Sequence, residues 1–223
     1  MFERERTDVA EACRRLAAEG LVIGTAGNVS ARAGDREVAI SPTGADLAEL
    51  EPEHVSIVDL EGELVAGDLE PTSELGLHLG VYSRYDAGAV VHTHAPMATA
   101  LACVIDELPC IHYQMLLLGG PVPVAPYATF GTPELADGVL DALEGRRAAL
   151  MANHGAIAHA GDLGTAVELS LLLEWACTVY WRAAAIGTPR VLDEAQRQAV
   201  VSAALERGYG STKPAERDPE EGG

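Results

Sequence analysis

Residues 87–95 read "AGAVVHTHA", an apolar, β-branched run that ends on two histidines spaced two apart. Along a strand successive side chains alternate between faces, so His92 and His94 point to the same side. Pro96 follows at once and opens a helical pattern over "PMATALACVI" (96–105), where proline is favoured at the first helical position. A strand that delivers paired imidazoles into a helix start is the element around which the rest of the chain is placed.

Working outward, residues 3–20 show helical periodicity at Val9, Ala12, Cys13 and Leu16 and stop at Gly20. "GTAGNVSAR" (24–32) reads as a loop rich in Gly, Thr, Asn and Ser. "EVAIS" (37–41) and "VSIVDL" (55–60) read as strands, with a turn and short helix in "PTGADLAEL" (42–50). A helix begins within "EPTSELGLHLGVYSRY" (70–85), after Pro71 and two hydroxyl residues. "GGPVPVAPYATFGT" (119–132) is irregular with room for one edge strand, and "TPELADGVLDALEG" (132–145) is a capped amphipathic helix. "AALMANHGAIAHA" (148–160) reads as two short strands hinged at residues 153–155. Two longer helices are expected over 162–186 and 193–207, then a charged tail.

Several strand-to-strand steps are too short for a βαβ crossover. The expected fold is therefore α/β, with a mixed, largely antiparallel central sheet covered by helices on both faces. A chain of 223 residues without an internal linker is read as one domain over 1–209, followed by an acidic tail over 210–223.

Composition excludes some functions. A net charge of −19 without any basic cluster argues against a nucleic-acid partner. The opening "MFERERTDVAEACRRL" has no apolar core of a secretory leader, so none is expected. The greasiest stretch, 163–181, is interrupted by Glu168 and Glu174 and reads as a buried helix, not a membrane span. Cys13, Cys103, Cys110 and Cys177 lack CxxC spacing and read as reduced packing residues, which points to the cytoplasm. Lys213 is the only lysine and lies in the polar tail, so a buried lysine for Schiff-base chemistry has no candidate.

A metal is one reading of the histidine pair; two histidines sharing a core face is the other. His154, before Gly155 at a strand turn, is the candidate third ligand. His54, His78, His112 and His159 are less suitable, and His78 in particular reads as a packed helix residue. Glu74 is the nearest candidate acid, although a carboxylate after Thr72 and Ser73 also fits a capping box. "GTAGN" (24–28), "PTG" (42–44) and "TS" (72–73) supply backbone N–H groups and hydroxyls of the kind that bind anions without lysine.

The order and spacing of "GTAGNVSAR", "SPTG", "PTSE" with "LGLH", "VVHTHA", "IHYQ", "APYATFGT" and "NHG" resemble the class II aldolases that cleave sugar 1-phosphates, in the superfamily that includes ribulose-phosphate 4-epimerase. The resemblance spans residues 1–209 and is nearest to the L-fuculose 1-phosphate branch. It implies a class II aldolase/adducin-like fold and a homotetramer with active sites at subunit interfaces. It implies Zn2+, with Mn2+ or Co2+ as alternatives, held by His92, His94 and His154, with Glu74 on the metal's open side and acting as acid/base. It carries phosphate binding to Asn28, Thr43, Gly44, Thr72 and Ser73, in a loop shaped by Thr25 and Gly27. Tyr113 would come from a neighbouring subunit to protonate the aldehyde oxygen, and Phe130 and Tyr209 would border the aldehyde. Thr72 stands where a second serine is common, which keeps the hydroxyl. The expected reaction is cleavage of a ketose 1-phosphate, foremost L-fuculose 1-phosphate, to dihydroxyacetone phosphate and L-lactaldehyde. Alternatives within the superfamily are a pentulose-phosphate 4-epimerase and a thioribulose-phosphate dehydratase; outside catalysis, an adducin-like interaction module.

Overall fold

A computed structural model describes residues 2–207; Tyr209 and the tail at 210–223 lie outside them. In chain order the elements are α1 (Glu3–Ala18), β1 (Asn28–Arg32), β2 (Glu37–Ile40), β3 (Ser56–Asp59), β4 (Leu64–Ala66), α2 (Leu75–Arg84), β5 (Ala89–Thr93) and α3 (Pro96–Ala102). They continue with β6 (Glu107–Leu108), β7 (Val122–Ala125), α4 (Pro133–Ala142), β8 (Ala148–Met151), β9 (Gly155–Ala160), α5 (Leu163–Ile186) and α6 (Glu194–Arg207). Short 3-10 turns at Leu47–Glu49, Pro52–His54 and Tyr113–Leu118 fill the connections.

The strands form one sheet in the order β4-β3-β2-β1-β5-β9-β8-β7-β6. Only β7 and β8 run parallel, and α4 is the crossover between them. The expected mixed, largely antiparallel sheet is what forms. Helices α1, α3 and α5 cover one face with Val29, Ala31, Val91, Leu150 and Ala158 beneath them; α2 and α4 cover the other over Val38, Ile40, Val90, Met151 and Ile157. Both faces of β5 are therefore buried.

Three details differ from the sequence reading. Asn28–Arg32, read as loop, is strand β1, the neighbour of β5. Its Asn28 and Ser30 alternate with Val29 and Ala31, so the polar set faces α2 while the apolar set enters the core under α1, α3 and α5. Hydrophilic composition here marks a buried polar face, which a loop resembles in sequence. The strand expected at an edge is β7, which is flanked by β6 and so lies one position inside the edge. Cys103 is exposed, whereas Cys13, Cys110 and Cys177 are buried; all four are free.

Helix α5 meets the length and apolarity of a membrane span. It packs on β5, β9 and α3, and its Glu174 carboxylate accepts from the N–H groups of Met97 (2.9 Å) and Ala98 (2.8 Å) at the start of α3. That charge–dipole contact anchors the chain just after the histidine pair.

At the β8–β9 turn, a side chain on Gly155 would press into the Thr93 carbonyl oxygen of β5. Gly155→Ala is expected to lower stability by about 1–3 kcal/mol, the usual cost of overpacking, read as a lower urea midpoint at unchanged m-value.

Candidate active site

Asn28 on β1 sits directly opposite His92 on β5 in the antiparallel register. His92 is fully buried, and its Nδ1–H donates to the Ala156 carbonyl of β9 at 2.9 Å. That bond orients the ring so that Nε2 faces the cleft. His94, one residue past the end of β5, turns back so that its Nε2 lies 3.0 Å from His92 Nε2. His154 projects from the tight β8–β9 turn, where Asn153 adopts a left-handed conformation (φ 54°) and the His154 N–H donates to the Met151 carbonyl at 3.1 Å. One ring nitrogen from each of the three histidines lies within 4.8 Å of the other two, and the rings meet edge-on at centroid distances of 4.9–5.0 Å.

Glu74 closes this group. It stands at the N-cap of α2 but makes no capping hydrogen bond, so the capping-box alternative does not hold. Its Oε2 lies 3.2 Å from His92 Nε2 and accepts from Asn28 Nδ2 at 3.0 Å; its Oε1 lies 3.5 Å from His154 Nε2. Oε1 is buried and takes no hydrogen bond. Burial pushes the Glu74 carboxyl up, but the bond and charge of His92, with Asn28 and His154, outweigh it and hold the group well below the usual carboxylate range. Burial, with the other two rings adding to it, pushes His94 down to about 4, and burial with His92 lowers His154. His94 and His154 held toward the neutral form, beside a carboxylate with an unsatisfied buried oxygen, leave more lone pairs than donors in this group. This chemistry fits a divalent cation with three nitrogen ligands and one variable position.

Beside the histidines lies a cleft of about 270 Å³ that gathers every described residue to which phosphate binding was carried over. Thr25 and Gly27 come from the turn before β1 and Asn28 from its first position, Thr43 and Gly44 from the turn after β2, and Thr72 and Ser73 from the entry to α2. The last two segments are tied by a Pro42–Pro71 bridge, with the Thr72 N–H on the Ser41 carbonyl (3.1 Å) and the Thr43 N–H on the Glu70 carbonyl (3.0 Å). Gly27 (φ 97°) is required at its position, since a side chain would meet Val22 and the His92 carbonyl oxygen. Among the described residues no lysine or arginine lines the cleft, so the donors they offer are neutral.

Phe130 lines the open side and is exposed, together with Tyr127 and Asn153, which the sequence reading did not single out. Asn-His-Gly turn chemistry could have located Asn153. Tyr113 does not line this cleft; it lies in the turn before β7 beside His112, which also contacts Trp175. Tyr209 lies outside the described residues. The other histidines have local roles: His54 and His112 each accept a turn N–H, and His159 stacks on Tyr85 and contacts the Arg146 carbonyl. His78, read as a packed residue, is fully buried and hydrogen-bonded to Asn28 and Ser30.

Residues 7–181 match the family profile described as class II aldolase and adducin N-terminal domain. A 5-methylthioribulose-1-phosphate/5-deoxyribulose-1-phosphate aldolase of Rhodospirillum rubrum is 42% identical over 196 residues, 86% of this chain and 88% of that protein. A 5-deoxy-D-ribulose 1-phosphate aldolase of Bacillus thuringiensis is 39% identical over 198 residues, covering 87% and 92%. Among solved structures, an L-fuculose 1-phosphate aldolase superposes with a TM-score of 0.86 at 35% identity, covering 91% of this chain and 96% of that one.

Two outcomes follow from the histidine cluster. His92→Ala is expected to lose the divalent cation that the cluster fits, read by metal analysis after dialysis, with the fold retained. For the metal-free protein, His78 is pushed by burial from 6.5 down to about 3 and His94 to about 4, so between those values and 6.5 the unfolded chain binds more protons than the native one. Stability is therefore expected to fall as pH drops below about 6.5, with the lowered Glu74 adding to the loss below 4.5; urea unfolding at pH 7, 5 and 4 measures it.

Proposed function

This chain belongs to the class II aldolase and adducin family, and from that premise we propose that it cleaves a ketose 1-phosphate reversibly to dihydroxyacetone phosphate and an aldehyde. The observation that carries this is the juxtaposition of a three-histidine cluster, with the Glu74 carboxylate beside it, and a cradle whose described lining offers hydroxyl and backbone donors without lysine. An adducin-like module without catalysis would not need that cluster.

Breaking a carbon–carbon bond next to a carbonyl leaves an electron pair that must be stabilised. One route is a lysine iminium, and Lys213 in the tail is the only lysine. The other route is a divalent cation, which His92, His94 and His154 would hold; when bound it supplies Lewis-acid polarisation worth several kcal/mol. Zinc suits three imidazoles and a carboxylate, and manganese or cobalt are the alternatives.

The protein's own groups then orient substrate and move protons. Asn28, Thr72 and Ser73, with the turns at Thr25–Gly27 and Thr43–Gly44, hold the phosphate by neutral hydrogen bonds, as suits a chain that carries a net charge of −19. Glu74, with one carboxylate oxygen held by Asn28 and the other without a hydrogen bond, transfers the proton at the carbon that becomes the hydroxymethyl of dihydroxyacetone phosphate. Tyr113, which its own cleft does not include, would exchange the proton on the aldehyde oxygen from a neighbouring copy in a homotetramer. Phe130, and Tyr209 of the C-terminal segment, would border the aldehyde.

The sequence reading puts L-fuculose 1-phosphate first, which releases L-lactaldehyde. A 5-deoxypentulose 1-phosphate is the second reading, favoured by what the two curated relatives act on. Both substrates share the phosphate end and the dihydroxyacetone phosphate product. They differ in the aldehyde part, which Tyr127 and Phe130 at the cleft would meet.

A coupled assay for dihydroxyacetone phosphate with both sugars tests this. Release that a chelator abolishes and zinc restores is the expected result; no product from any ketose 1-phosphate refutes the proposal. Glu74→Gln is expected to keep its metal and lose about 10²–10⁴-fold in kcat, the usual range for a general acid/base.

A further inference from the structure

Behind Asn28 and Glu74 runs a buried polar chain, His78 to Ser30 to Tyr82, that the aldolase reading does not use. His78 on α2 is fully buried and both ring nitrogens are engaged. Nε2 lies 2.5 Å from Asn28 Oδ1, Nδ1 lies 2.7 Å from Ser30 Oγ, and Ser30 Oγ lies 2.8 Å from the Tyr82 hydroxyl. At its other end the Asn28 amide nitrogen donates to both Thr72 Oγ1 and Glu74 Oε2, each at 3.0 Å.

Counting protons gives every bond its direction. Both Asn28 N–H groups are spent on Thr72 and Glu74, so Oδ1 can only accept, and His78 Nε2–H must donate to it. The neutral ring then carries its lone pair on Nδ1, which takes the Ser30 hydroxyl proton. Ser30 Oγ in turn accepts from the Tyr82 hydroxyl. Turned over, the Asn28 amide would set Oδ1 against the Glu74 carboxylate, and His78 could take the amide N–H only by moving its proton to Nδ1 and reversing the hydrogen bonds through Ser30 and Tyr82.

We propose that His78 is a positioning residue: it locks the Asn28 amide in the one orientation that holds the Glu74 carboxylate and the Thr72 hydroxyl together. What those two groups do rests on the aldolase reading; the lock itself rests on the hydrogen bonds. Packing alone does not call for this arrangement, because buried hydrogen-bonded partners can be replaced together by apolar groups of similar shape at little cost in stability. His78 thereby joins two parts of the site, since one amide serves the acid/base on one N–H and the phosphate cradle on the other. Asn28 sits opposite His92 in the sheet, so its backbone is held by β1 and only the amide plane remains to be set.

The test compares zinc-loaded wild type, His78→Leu, and His78→Gln, whose amide N–H can still donate to Asn28. His78→Leu is expected to lower kcat/KM about 10- to 100-fold, the range for residues that orient site groups from behind. It should also weaken inorganic phosphate binding by calorimetry, while still taking up one equivalent of Co2+ by absorbance. His78→Gln should recover much of both losses, and His78→Leu added to Asn28→Ala should cost little more than Asn28→Ala alone. A folded His78→Leu with wild-type kcat/KM and phosphate affinity overturns the proposal, as do losses that multiply in the double variant. Should His78→Leu fail to fold, Ser30→Ala carries the same expectation in smaller measure, and unchanged phosphate affinity and kcat/KM there overturn it. Wild type that releases no dihydroxyacetone phosphate counts against the aldolase reading, and the phosphate titrations then decide on His78 by themselves.

Discussion

The antiparallel register between β1 and β5 sets Asn28 opposite His92, and the rest of the site is built around that pair. A slip of one residue would turn Asn28 and Ser30 into the core under α1 and α5 and expose Val29 to the cleft. In the observed register the polar side of β1 faces α2, which brings His78 and Glu74 down onto it. From the other side β9 supplies the Ala156 carbonyl that orients the His92 ring, and the turn that begins β9 supplies His154. Three strands, one helix start and one hairpin turn thus converge on Glu74 and the histidines.

Electrostatics explain how so acidic a chain can present a site for a phosphorylated sugar. Long-range steering by positive charge is absent, and the cleft is lined by neutral donors with imidazoles at its base. Burying the Glu74 carboxylate is costly unless its oxygens are met. Asn28 and His92 meet one of them, while His154 stands 3.5 Å from the other without satisfying it by a hydrogen bond. That residual demand is where positive charge is most strongly favoured, and the neutral state of His94 and His154 keeps their lone pairs available for it.

Much of this was readable in one dimension, because the signals were local. The histidine pair with Pro96, the Thr132 cap of α4, the paired strands around residues 153–155 and the two last helices all depend on neighbours within a few residues. Strand β1 was not readable: its polar residues face a buried network, and nothing local separates that from a solvated loop. His78 was read as packing because its partners, Ser30 and Asn28, are 48 and 50 positions away. Cys103 was read as buried by residue type, yet it follows the last turn of α3 on the surface.

By itself the sequence determined the chemistry on offer: imidazoles and a carboxylate in place of a lysine, hydroxyls in place of basic side chains, and strand and helix periods that call for a covered, mostly antiparallel sheet. Only the tertiary structure decided which groups meet. It turned Glu74 from a helix cap into the fourth member of the histidine cluster, and it tied the turns at 42–44 and 71–73 into one cradle. It also made a buried histidine the lock on Asn28. The reason is physical: residue type fixes what a group can donate or accept, whereas its partner is chosen by strand register and helix docking across tens of residues.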